Sequence, residues 1–249
     1  CGCPKCAALI EREGTPGAPL LDYLVEAGPL LKAKYPKAFL STLAYRREQT
    51  EIPPRTLRMP DNVIIIFAPI DDNFAQPIEH PTNRQTLENL RGWAGKTDHL
   101  WVWYYPYPYS HPLPIGNVGK TASDFRLFKR VGVEGFFLEH DAPGTYDGQR
   151  LGDLQAWVAL KLMWNPDQDP GRLVRDFTDA TYGPAAPMVR EHLAALEKAK
   201  DAMTTSMVWN ASPGQYRFLT PDLLASAQAL LDRAEKAVDG DPERLLRVR

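Results

Sequence analysis

Several features that mark particular classes of protein are missing from this sequence. Its 29 Lys and Arg residues nearly balance its 31 Asp and Glu residues, so it lacks the positive charge that nucleic-acid-binding proteins carry. It contains no stretch approaching the roughly 18 consecutive apolar residues that a membrane-spanning helix needs. It also shows no internal repeat and no low-complexity segment. The sequence therefore predicts neither a nucleic-acid partner nor a membrane span.

What the sequence does contain is typical of a globular protein. Its 249 residues are 44% hydrophobic and 24% charged, which is enough apolar material to bury a sizeable core. Aromatic residues make up 10% of the chain, with 6 Trp and 10 Tyr. Most large aromatic side chains belong to cores, but flat rings also stack on sugar rings. The composition therefore slightly favours a carbohydrate ligand.

The first half of the chain alternates two kinds of pattern. Short runs rich in apolar, β-branched and aromatic residues are bounded by Pro, Gly, Asn or Asp, as buried parallel strands usually are. The predicted strands are residues 39–45, 63–70, 99–106 and 133–140, and the predicted helices between and before them are residues 20–34, 86–93 and 123–131. We expect Pro29 to kink or split the first helix and Ser123 to cap the last. The alternation predicts parallel βαβ units.

The second half of the chain has only helical periodicity, with apolar residues at i, i+3 and i+4. The predicted helices are residues 151–164, 171–182, 186–203 and 222–238. Trp157 and Trp164 are spaced by seven residues on the first of them, which predicts two core positions. We predict two domains: residues 1–166 as the C-terminal part of a (β/α) barrel, and residues 167–249 as a helical segment that packs on it.

Four strands do not close a barrel that needs eight. Either the remaining strands lie upstream of Cys1 or the strands form an open sheet; the chain begins at Cys1 without a methionine, and we expect the first. The fold class predicted is therefore α/β, a partial TIM-type barrel that holds the later strands, followed by an all-helical segment. For the same reason the lack of a signal peptide says nothing about secretion.

Several stretches in series carry a family resemblance. They are Cys1, Cys3 and Cys6, the TLAY of residues 42–45 with Pro53 and Pro54, Asn62 and Val63, Asn83 with Leu90 and Trp93, the LWVWYY of residues 100–105, the GVEGFF of residues 132–137, the KLMWNP of residues 161–166, and Phe177 with the YGPAA of residues 182–186. Over about residues 1–195 the chain resembles the domain of unknown function 4838 family, a glycoside-hydrolase-like group related to α-glucuronidases.

This resemblance implies a barrel that hydrolyses glycosidic bonds in a polysaccharide or oligosaccharide, with uronic-acid-containing sugars among the candidates. It also implies a secreted, cell-surface or periplasmic location. The sequence departs from the family in two places. Residues 69–73 (PIDDN) stand where the family often has further cysteines, and Glu139 lies one residue beyond the position where the family often places its Glu or Gln.

In such a barrel, functional side chains gather at the carboxyl ends of the strands. Glycoside hydrolysis typically needs two carboxyl groups, one as acid and one as nucleophile or base. The predicted catalytic residues are Glu139, Asp71 and Asp72, and the predicted substrate-binding residues are Tyr45, Tyr105, Tyr107, Tyr109, His140 and Asp141, with Arg46 also at a strand end. The alternative for each carboxylate is a helix cap or a solvated loop group.

The C-x-C-x-x-C of Cys1, Cys3 and Cys6 is the sharpest local motif. Thiolates at this spacing can hold zinc, which takes four ligands, and His80 is the candidate for the fourth. A disulfide with one free thiol and three free thiols are the alternatives. Any zinc here would be structural, and no cofactor is predicted for catalysis.

Three hypotheses of function follow from these observations. The first is a glycoside hydrolase, and the second is a non-catalytic carbohydrate-binding protein on the same scaffold, because a fold does not fix a function. The third is a zinc-stabilised interaction module. Release of reducing sugar separates the first from the second.

Overall fold

The computed structural model describes residues 1–108, 113–139 and 151–249. The described residues form four strands and nine α-helices. In chain order they are α1 (Pro4–Glu13), α2 (Ala18–Lys34), β1 (Leu40–Tyr45), β2 (Val63–Ala68), α3 (Arg84–Ala94), β3 (His99–Tyr104), α4 (Val118–Val131), β4 (Gly135–Leu138), α5 (Gly152–Trp164), α6 (Pro170–Tyr182), α7 (Ala186–Asp201), α8 (Pro221–Ala237) and α9 (Pro242–Val248).

The four strands form one parallel sheet in the order β1-β2-β3-β4. Leu40 pairs with Val63 at one edge, and Trp101 pairs with Gly135 at the other. The predicted α/β class and the predicted parallel, sequential order are therefore confirmed for the described residues.

The two faces of the sheet differ in exposure. One face is closely packed: Val63, Ile65 and Phe67 of β2 are 0% exposed, and burial of such a side chain contributes about 1.5–3 kcal/mol. The other face carries Trp101, which is 38% exposed, and Phe137, which is 50% exposed. Strand alternation predicts two faces, and it does not predict that one of them stays open.

Two details of the helices differ from the sequence prediction. The split at Pro29 is wrong, because α2 continues through this residue from Ala18 to Lys34. Its neighbour Gly28 is held by Asn62, whose Nδ2 donates to the Gly28 carbonyl at 2.8 Å. The cap at Ser123 is also wrong, since α4 begins five residues earlier, directly after Asn117.

The chain divides into two compact units. The sheet unit comprises residues 1–72, 78–105 and 127–139, and the helical unit comprises residues 73–77 and the described residues of 106–126 and 140–249. The predicted boundary between residues 166 and 167 falls inside the helical unit, and the predicted division into residues 1–166 and a helical segment of residues 167–249 that packs on them stays a prediction. No helix in the described ranges combines the length and apolar character needed to span a membrane.

The helical unit has its own apolar core. Tyr182, Ala186 and Val189 pack there with Ala234 of α8 and with Val238, the residue that follows α8. Trp164 is not part of any core: it is 91% exposed, so that prediction is wrong. It is the last residue of α5, where the chain leaves the helix, and within the described ranges its ring is almost fully open to solvent.

Candidate functional site

The carboxyl ends of β1, β3 and β4 bring several predicted site residues together in the sheet unit. Tyr105, directly after β3, is 8% exposed. Burial raises the pKa of its phenol, the negative charge of Glu139 and, once ionised, that of Tyr45 raise it further, and the positive charge of Arg46 opposes them. These three side chains therefore lie within electrostatic range of Tyr105. The roles assigned to Glu139 and Tyr105 from the sequence stay predictions.

Glu139 is held in place from both its backbone and its side chain. Its N–H donates to the Tyr104 carbonyl at 3.0 Å, which extends the pairing with β3 by one residue. Trp103 Nε1 donates to Glu139 Oε2 at 2.5 Å. The Trp103 ring in turn packs on Phe137, with ring centroids 4.1 Å apart. The Trp103 indole, itself held by packing against Phe137, therefore fixes the orientation of the half-buried Glu139 carboxyl group.

Arg46 is the first residue after β1, and its backbone conformation is strained. Its φ is +54°, and it is the one non-glycine residue with positive φ in the described ranges. Residues Arg46–Thr50 form a short π-helix, a feature that is frequent at functional sites. The Arg46 guanidinium lies 5.1 Å from the centroid of the Tyr45 ring. Strain of this kind costs on the order of 1 kcal/mol and often marks a residue whose placement matters.

The two aspartates after β2 have different surroundings. Asp71 Oδ2 accepts a hydrogen bond from the Arg47 N–H at 3.0 Å, and the Asp71 carbonyl accepts one from Arg47 Nη2 at 3.2 Å. Asp71 thus ties the end of β2 to the π-helix after β1. Its charge also helps to raise the pKa of Arg46, after the larger effect of a hydrogen bond with Tyr45. Asp72 is buried, with 3% exposure.

Sequence reasoning missed a buried acid beside this group. Glu51, at the end of the π-helix, is 0% exposed. Its Oε1 accepts from Asn89 Nδ2 at 2.8 Å and lies 3.8 Å from Arg47 Nε, while its Oε2 is buried without a hydrogen-bond partner among the described residues. Burial raises its pKa, and Asn89 and Arg47 only partly oppose this. The sequence feature that could have indicated this residue is its position, six residues past the end of β1.

The remaining predicted ligand contacts are not part of this group as described. Tyr107 belongs to the helical unit and is 1% exposed, so its ring is packed and not open to a ligand. Tyr109, His140 and Asp141 lie outside the described residues.

The helical unit contains a second polar cluster that sequence reasoning missed. Lys120 Nζ donates to Asp124 Oδ2 at 2.6 Å, and both side chains are nearly fully buried. Lys200, 1% exposed, donates to Asn117 Oδ1 at 3.0 Å, and burial lowers its pKa. An i, i+4 pair of Lys and Asp ordinarily indicates a solvated helix face, so the burial of this pair could not be predicted from its spacing.

The cysteines form a third group, at the start of the sheet unit. The sulfurs of Cys1, Cys3 and Cys6 all lie within 4.8 Å of one another, so their predicted convergence agrees with the structure. His80 is not a member of this group. Its Nδ1 lies 2.9 Å from Thr82 Oγ1 and accepts from the Thr82 N–H at the start of a 3-10 turn.

The cysteine thiols influence one another directly. The Cys6 backbone N–H, the Cys6 side chain and the Lys5 N–H lower the pKa of Cys3, although no capping hydrogen bond of standard geometry reaches its sulfur. The hydrogen bond with Cys3 raises the pKa of Cys6. One thiol with a lowered pKa beside another with a raised pKa is typical of two cysteines at the N-terminus of a helix.

The fold and the site define a class: an α/β protein whose aromatic and carboxylate side chains meet at the carboxyl ends of parallel strands, where ligands of such sheets usually bind. The chain belongs to the family described as domain of unknown function 4838, whose sequence profile matches residues 1–194. The family resemblance inferred from the sequence is thereby confirmed. No curated protein matches the chain.

Proposed function

We propose that the sheet unit is part of a (β/α) barrel of the glycoside-hydrolase type and that the protein hydrolyses glycosidic bonds in a polysaccharide or oligosaccharide. Uronic-acid-containing sugars are among the candidate substrates, and the protein is secreted, at the cell surface or in the periplasm. The observation that carries the proposal is the placement of Glu139 at a strand end, with its carboxylate held by Trp103 at 2.5 Å.

The open face of the sheet supports the barrel. Parallel sheets are ordinarily covered on both faces, yet Leu43, Trp101 and Phe137 on one face are 37–50% exposed. In a closed barrel this face is the lumen, which layers of side chains fill. Gly135 contributes to its shape, because a Cβ at this position would lie 2.5 Å from the Trp101 ring.

The chemistry assigns complementary roles to the carboxyl groups. Glu139 is the general acid that protonates the leaving oxygen, and Asp71 or Asp72 is the nucleophile or base. Asp71 accepts a backbone hydrogen bond, which fixes the position of its carboxyl group. Arg46, strained and cationic at the same edge, supplies a partner for the carboxylate of a uronic acid.

A non-catalytic carbohydrate-binding protein is the second candidate. The exposed Trp101 ring and the tilted contact of Trp103 with Phe137 favour it, because these rings form an aromatic surface that could hold a sugar without cleaving it.

The test is hydrolysis measured beside binding on one panel of polysaccharides, with glucuronoxylan as the uronic-acid-bearing member. Release of reducing ends that disappears in Glu139→Gln, while calorimetric binding persists, supports the hydrolase. Binding without release by the wild-type protein supports the second candidate. We expect Trp103→Phe, which removes the indole N–H that orients Glu139 together with part of the ring that packs on Phe137, to lower kcat about 10-fold, since a hydrogen bond to a carboxyl group contributes about 1.5 kcal/mol.

A further inference from the structure

All three cysteines of the chain lie at the N-terminal end of α1. Cys3 directly precedes this helix and Cys6 lies in its first turn, so one rigid element holds both sulfurs. None of the three is in a disulfide bond, and all three sulfurs lie within 4.8 Å of one another. Because the sequence has no other cysteine, its thiol chemistry is concentrated here.

The composition of this cluster selects the kind of ion that it could bind. Within the described residues, the group contains sulfur ligands alone, with no His, Asp or Glu. Thiolates favour zinc over Mg²⁺ and Ca²⁺, which take oxygen ligands. Zinc at about 2.3 Å from each of three thiolates places the sulfurs about 3.8 Å apart. Side-chain rotation of the exposed Cys1 and Cys3 can supply the difference from the observed spacing.

The third sulfur distinguishes a metal site from a redox pair. A disulfide joins two sulfurs and leaves the third unused at the same place, whereas a metal uses all three. The opposite end of α1 is already anchored, because Glu13 accepts hydrogen bonds from Thr56 and Leu57 in the connection between β1 and β2. A bound metal would therefore fix the N-terminal end of this helix.

We infer that Cys1, Cys3 and Cys6 bind one zinc ion through three thiolates, with water or an added ligand at the fourth position. The ion is structural: it ties the residues before α1 to the first turn of that helix. His80 takes no part. The site is independent of the proposed glycosidase chemistry, so either can fail alone.

The test begins with the reduced, metal-free protein. Titration with Co²⁺ should give one ion per chain and a thiolate-to-cobalt charge-transfer band, and an equal amount of Zn²⁺ should abolish the band. Each of Cys1→Ser, Cys3→Ser and Cys6→Ser should weaken zinc binding by about 100-fold or more, because each removes one of three ligands. The matched control His80→Ala should bind zinc as the parent does. Zinc should raise the Tm of the parent and of this control, and leave that of Cys3→Ser unchanged.

Three results would overturn the inference. The first is a reduced protein that binds zinc no more tightly than a variant with all three cysteines replaced by serine. The second is a Cys1→Ser variant that binds as tightly as the parent, which would reduce the site to a pair. The third is a loss of binding in His80→Ala as large as that in Cys3→Ser.

Discussion

Two buried carboxyl groups of the sheet unit, Glu13 and Glu51, differ in how well their charges are compensated. Both side chains are 0% exposed. Glu13 accepts four hydrogen bonds, from the Thr56 N–H and hydroxyl, the Leu57 N–H and Arg12 Nε, at 2.6–3.1 Å. Glu51 accepts one, and its second oxygen has no hydrogen-bond partner among the described residues.

The acidity of the two groups follows this difference. Burial alone would raise the pKa of Glu13, but the hydrogen bonds led by Thr56 outweigh it and lower the pKa to about 2. For Glu51 burial prevails and the pKa is raised. The donors around Glu13 outweigh the effect of its burial, whereas the donors at Glu51 do not. Glu51 contacts Arg47, which also donates hydrogen bonds to Asp71 of the candidate site. A buried charged group with incomplete hydrogen bonding is expected near a functional site.

The largest effect on stability is expected at Glu13. Glu13→Gln leaves several buried N–H donors without a carboxylate, and we expect a loss of about 2–4 kcal/mol in the free energy of unfolding at pH 7. Because the folded pKa is depressed, the stabilisation is present above pH 4.5 and is lost as the pH falls towards 2. Urea unfolding of both proteins between pH 7 and pH 2.5 measures this. An energy difference that does not shrink with falling pH would contradict the assignment.

Glu51→Gln should have the opposite sign and a smaller size. The glutamine keeps an acceptor for Asn89 and removes the cost of a buried charge, so we expect a gain of about 1 kcal/mol at pH 7. Because the folded pKa is raised, the parent loses stability as the pH rises from 4.5 through that pKa. The gain should therefore vanish at pH 4 and below. A variant less stable than its parent at pH 7 would show that Arg47 compensates the charge fully.

The smallest effect is expected at an exposed pair. His99 Nδ1 lies 2.8 Å from Glu134 Oε2, and this contact raises the pKa of His99. The stabilisation is present below pH 6.5 and is lost as the pH rises through the raised pKa. Since solvent screens both groups, we expect Glu134→Gln to cost about 0.5 kcal/mol at pH 6 and nothing at pH 9. Thermal unfolding at the two pH values measures this. An equal loss of stability at both would show that the charge of His99 does not contribute.

The sheet could be predicted from the sequence because its physical causes are local. Runs such as residues 63–68 (VIIIFA) are too apolar and β-branched to be anything but buried strands, and the connections between them fix a parallel order. The ends were less predictable. The predicted run to residue 70 ends at Ala68, since Pro69 has no N–H to donate to a neighbouring strand.

The candidate site could be predicted only in part. Glu139 and Tyr105 follow strands directly, so topology alone places them at one edge of the sheet. The burial of Glu51 depends on Asn89 and Trp93 of α3, and no pattern near Glu51 in the sequence encodes that contact. The strain at Arg46 was equally invisible, because a positive φ is not expected of an arginine.

The central claim is that function resides at the carboxyl ends of the strands, and β4 offers a matched pair of acids to test it. Glu134 precedes this strand and Glu139 follows it. We predict that Glu139→Gln lowers kcat on the best polysaccharide of the panel by about 10²–10⁴-fold, while Glu134→Gln stays within about 2-fold of the parent. Both variants should unfold at urea midpoints close to that of the parent. Wild-type turnover in Glu139→Gln, or equal losses in the two variants, would contradict the account.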